Sequence, residues 1–129
     1  MQLSEFKVHD VSHFPAVRCV PTRMYPGHAC QWRNELEALI DRNEPFFMVF
    51  DSGNCEEAAE DTRIRAIWLK QNRLCLSKVC RSIVSIEPNE QRRCKLAAQC
   101  PGLAKAFGIP RMVAVNDNEA MCLGLEALA

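Results

Sequence analysis

The densest run of chemically capable side chains is Asp51-Ser52-Gly53-Asn54-Cys55, between the apolar run Phe46-Phe47-Met48-Val49-Phe50 and the pair Glu56-Glu57. Asp, Ser and Asn hydrogen-bond to nearby amides and Gly tolerates positive φ, so the run makes a turn and a helix cap. The same placement exposes the Ser52 hydroxyl near a helix N-terminus, where a phosphate would meet free backbone N–H groups. Asp51, Ser52, Gly53 and Asn54 are therefore candidate partner-contact or phosphoacceptor residues. Cys55 falls in the first helical turn, where the dipole and free amides lower a thiol pKa. Glu56 and Glu57 oppose thiolate formation and no histidine is near in sequence. Cys55 is thus a reactive-thiol candidate without a visible base.

Other constellations are poorer. Cys75-Leu76-Ser77-Lys78-Val79-Cys80-Arg81 has the Cys-x5-Arg spacing of cysteine phosphatases. That chemistry needs a glycine-rich loop between strand and helix to wrap a phosphate in backbone N–H groups. This stretch has no glycine and runs from helix to strand. His9, His13, Cys19, His28 and Cys30 are zinc-competent residue types, but their spacings fit no closed structural site, so no metal is expected. Nothing calls for a cofactor. Trp32 and Trp68 read as core or helix-interface anchors, and Arg92, Arg93 and Lys95 as a solvated helix face.

Sixteen Lys and Arg balance sixteen Asp and Glu over 129 residues. That balance gives no electrostatic case for nucleic acid or an anionic membrane. Neutrality also weakens colloidal repulsion, which favours self-association, so a homodimer is one expected state. The N-terminus lacks a basic start followed by an apolar run, and no run approaches the ~18 apolar residues of a membrane span. The chain is expected to be cytoplasmic, with its eight cysteines as thiols serving mainly as small core residues.

The elements that would position these groups follow from periodicity. Phe6 and Val8, then Val17 and Cys19, alternate with their neighbours and predict an antiparallel pair of short strands joined around Ser12 to Pro15. Ala29, Trp32, Leu36, Leu39 and Ile40 form a helical stripe, with Arg33, Glu35, Glu37 and Asp41 facing away. Asn43 suits the left-handed residue after that helix. Phe46–Phe50 reads as a strand buried on both faces. A second helix starts with Asn54 as cap and carries Ile64, Ile67, Trp68, Leu74 and Cys75 to about Lys78. Arg81–Ile86 is a strand. Glu90 to Phe107 is helical with a break or kink at Pro101-Gly102. Met112–Val115 is the last strand. Asn116 and Glu119 open a final helix with a small-residue strip at Ala120, Gly124 and Ala127. The prediction is one α/β domain over residues 1–129, a single mixed, mostly parallel sheet of about five strands with four helices, ordered β-β-α-β-α-β-α-β-α.

Three stretches carry a family resemblance: Asp51-Ser52-Gly53 between a buried strand and a helix, Phe107-Gly108-Ile109-Pro110-Arg111-Met112-Val113-Ala114-Val115, and Asn118-Glu119-Ala120-Met121. In element order and these motifs the chain resembles the STAS domain of the bacterial anti-sigma-factor antagonists and the wider SpoIIAA-like group. The resemblance implies a non-enzymatic regulatory module that binds a protein partner. It also implies a phosphorylation switch at the serine of the turn after the third strand, here Ser52. Two alternatives stay open. One is a carrier holding a small apolar ligand or lipid between the sheet and a helix, as some SpoIIAA-like proteins are thought to do. The other is a thiol-dependent enzyme using Cys55.

Overall fold

The computed structural model describes residues 1–51 and 58–129. The strands are β1 (His9–His13), β2 (Ala16–Cys19), β3 (Phe46–Asp51), β4 (Cys80–Ile86) and β5 (Arg111–Ala114). The helices are α1 (Ala29–Arg42), α2 (Ala59–Val79), α3 (Glu90–Phe107) and α4 (Asp117–Leu128). The strands form one sheet in the order β1-β2-β3-β4-β5, with β1 antiparallel to β2 and the rest parallel. The fold class is therefore the one predicted.

Sequential order means that each crossover steps one strand in the same direction. Right-handed connections then put α1, α2 and α3 on one face, and α4 returns across the other. The buried side chains follow this division. Val17, Cys19, Phe46, Met48 and Ile83 point to a core shared with Trp32, Leu36, Leu39, Trp68 and Leu76 of α1 and α2. Phe47, Val49, Val84, Ile86 and Ala114 point to a second core closed by Ala120, Met121, Leu123 and Leu128 of α4. β3 feeds both cores, which is why five apolar residues run without interruption at 46–50. Trp32 and Trp68 pin α1 to α2, their rings 5.4 Å apart and nearly perpendicular. α4 reaches the sheet through its small-residue strip: a Cβ on Gly124 would lie 2.2 Å from Phe47 Cδ2.

Local signals explain most boundaries. Asn43 ends α1 in the left-handed conformation at φ 54°. Asn116 caps α4 by accepting the Glu119 N–H at 2.9 Å, while Glu119 reaches back to the Val115 N–H. The first strand lies later than its Phe6/Val8 pattern suggested, starting at His9. α2 starts at Ala59, with Ala58 extended, and the expected cap at Asn54 lies outside the described residues.

Two expectations about helix faces are corrected, and the break expected in α3 is absent. α3 runs unbroken through Pro101. Ala97 and Pro101 are both exposed, so water can take the carbonyl that the missing N–H leaves unpaired. α2 turns Trp68, Leu76 and Val79 inward, but leaves Ile67 47% and Leu74 71% exposed, with Cys75 exposed beside them. Two apolar sides of that helix have equally good spacing, and packing against α1 and the sheet selects one. Glu35 is not on the solvent side of α1: it is wholly buried.

Candidate functional site at the carboxyl end of the sheet

The parallel strands end together at Cys19, Asp51, Ile86 and Ala114, the edge where open α/β sheets gather ligands. Arg18 stands opposite Val49 on the α4 side, and Asp51 lies two residues further along that face. The Arg18 guanidinium grips Asp51 with two hydrogen bonds, Nη2 to Oδ1 at 2.8 Å and Nε to Oδ2 at 3.3 Å. The same Nη2 also bonds Asp117 in the first turn of α4. Hydrogen bonds to Asp51 and then Asp117 raise the Arg18 pKa, so the cation is permanent. One arginine thus ties three elements, β2, β3 and α4, at the point where the chain leaves β3 for residue 52.

β1 runs the opposite way, so Asp10 enters this end opposite Arg18. Asp10 accepts the Ser12 hydroxyl at 2.7 Å and its N–H at 3.0 Å. Those bonds, the hydroxyl first, hold its carboxyl below the usual range. Asp10, Ser12, His13 and Arg18 rim a cavity of about 140 Å³ whose apolar wall is Ala16, Val49 and Met121. Asp51 and Asp117 share Arg18 beside this cavity, while Asp10 also has Arg23 and His13 near it.

On the opposite face two histidines are buried beside carboxylates. Glu35 accepts the N–H groups of Lys7 (2.8 Å), Val8 (3.0 Å) and His9 (2.8 Å), the His9 Nδ1–H (2.9 Å) and Gln31 Nε2 (2.7 Å). Burial pushes its pKa up, but the His9 and backbone bonds outweigh that and hold it at about 2. Asp61, in the first turn of α2, accepts Gly27 N–H (2.9 Å) and Ala29 N–H (3.1 Å), and so caps α1 from outside. Those bonds, Gly27 first, lower its pKa, with His28 Nδ1 3.7 Å away. The buried His28 donates Nδ1–H to the Tyr25 carbonyl at 2.8 Å. His9 Nε2 is buried with no hydrogen-bond partner among the described residues, so its imidazole activates no serine or cysteine there. These pairs fasten the N-terminal segment and the start of α1.

Of the candidate site residues, Asp51 is placed and engaged, whereas Ser52, Gly53, Asn54 and Cys55 lie outside the described residues. The cysteines are not mainly core residues. Cys19 and Cys80 are buried, but Cys30, Cys75, Cys94 and Cys122 are exposed. Burial drives both buried thiols up, Cys80 to about 12, so neither is a nucleophile at neutral pH. Among the described residues no group of three or more His, Cys, Asp or Glu is gathered to hold a metal, and no helix is long and apolar enough to cross a membrane. Sequence reasoning missed Arg18, Asp117, Glu35 and Asp61. A signal existed for Glu35, since Trp32, Glu35, Leu36 and Leu39 follow the i, i+3, i+4, i+7 spacing of one helix face. Comparison with protein-family models, curated proteins and solved structures found no match.

Proposed function

We propose that the chain is a non-enzymatic protein-interaction module of the STAS or SpoIIAA-like kind its sequence resembles, meeting its partner with the carboxyl end of the sheet around Asp51. The supporting observation is the Arg18 bridge to Asp51 and Asp117. It holds the last residue of β3 and the first turn of α4 as one pre-set surface, and pre-set surfaces bind without an ordering cost.

Ser52 is covalently next to Asp51. A phosphate there adds about −1.5 to −2 charge beside carboxylates that already share one guanidinium, competing with Asp51 and Asp117 for Arg18 and undoing the surface the partner meets. The test uses the partner captured by the wild-type chain, with Ser52→Ala and Ser52→Asp compared in equilibrium binding and hydrogen exchange mapping the contact. Ser52→Asp should bind at least ~10-fold more weakly, the equivalent of about 1.4 kcal/mol, and Ser52→Ala like wild type. Protection should cover the end of β2, Asp51 and the start of α4. Equal binding by all three removes the switch; protection confined to α3 or the α1 face removes the surface assignment.

A further inference from the structure

The groove between α2 and α3 has a character unlike the carboxyl edge, and its reading stands apart from the partner-binding one. It encloses about 450 Å³. Ala66 and Leu69 of α2 form one wall and Ala106 and Phe107 of α3 the other, with Lys70 and Arg73 on the rim. Arg73 donates to the Ala106 carbonyl at 3.2 Å and ties the two helices together at that point. α3 contributes no fully buried residue, so it rides against the sheet edge and leaves the apolar wall open.

The charge is one-sided. Among the described lining residues there are cations and no carboxylate. Behind Phe107 lies Arg111, its guanidinium carbon 5.8 Å from the ring centre. Arg111 has no carboxylate partner among the described residues, and its Nε is buried without a hydrogen bond. Burial depresses its pKa, the mark of a cation short of counter-charge. An anion arriving in the groove would meet the Arg65, Lys70 and Arg73 cations that line it. The volume lies within the ~300–1,000 Å³ of small-molecule sites. A stable protein interface takes about 800 Å² from each side, more than a groove of this size offers.

We propose that the α2/α3 groove binds a free single-chain alkyl carboxylate, its chain along Leu69 and Phe107 and its carboxylate at Lys70 and Arg73. Chain length and charge must both matter. Each methylene fully buried is worth about fourfold in affinity, so decanoate should bind at least ~10-fold more tightly than hexanoate. Decyltrimethylammonium, with the same chain and the opposite charge, should bind at least ~10-fold more weakly than decanoate.

The experiment is an NMR titration of the full chain with decanoate below its micelle concentration, backed by calorimetry. Leu69, Lys70 and Phe107 amides should shift in a saturable, one-site manner. Lys70 is exposed, so Lys70→Glu should fold normally and weaken decanoate at least ~5-fold. Equal binding of the anionic and cationic chains, or shifts that spread without saturation, would overturn the proposal. So would binding of phosphatidylglycerol vesicles or of an acidic amphipathic peptide at the groove with no response to decanoate. Those outcomes would assign the groove to a membrane surface or to a protein helix.

Discussion

Glu35→Gln is the sharpest probe of how this chain holds its N-terminal segment. In the folded protein the buried carboxylate accepts three backbone N–H groups, one imidazole N–H and one side-chain amide. Its pKa falls from 4.5 to about 2. At about 1.4 kcal/mol per pH unit that difference amounts to about 3 kcal/mol of stability at neutral pH. The folded pKa is the lower one, so this contribution is complete above the unfolded value and drains away as pH falls from about 4.5 toward about 2. At pH 3 less than half of it should remain. Glutamine offers one acceptor oxygen and turns an NH₂ group toward donors, so it should forfeit the contribution and titrate no group there. Urea unfolding followed by tryptophan fluorescence reads this directly, because Trp32 lies beside His9. The wild type should exceed Glu35→Gln by about 3 kcal/mol at pH 7, and the gap should narrow by about 2 kcal/mol at pH 3. A gap independent of pH, or one below about 0.5 kcal/mol at pH 7 (the range of an ordinary surface change), would refute the reasoning.

Gly124→Ala should destabilise by about 1–3 kcal/mol in the same unfolding assay, because the new Cβ strikes the buried Phe47 ring and α4 must lift from the sheet. On an uncrowded helix the same change would stabilise by about 0.5–1 kcal/mol, so the sign alone decides. Thiol titration of the native protein should modify Cys30, Cys75, Cys94 and Cys122 quickly, whereas Cys19 and Cys80 should react only after denaturant is added. Rapid modification of either in the native state would contradict the packing of the α1/α2 core.

The amino-acid order by itself determined the strand and helix sequence, the doubly buried β3 and the ends of α1 and α4. Each of these rests on local physics: an unbroken apolar run, a left-handed Asn43, and an Asn116 oxygen reaching an amide three residues on. Asp51 was legible as the polar residue that closes that apolar run. Tertiary structure decided which groups meet. Arg18 and Asp117 are 99 positions apart in the chain and come together only because β5 completes the sheet and α4 crosses back over β3. Glu35 looked like solvent surface because a carboxylate normally pays heavily for burial. The five donors that reverse that expectation arrive from the N-terminal segment and from Gln31, and only the fold delivers them all to one place. Ile67 and Leu74 mark the same boundary from the other direction: helical spacing is a property of the chain, whereas the face that is covered is a property of its neighbours.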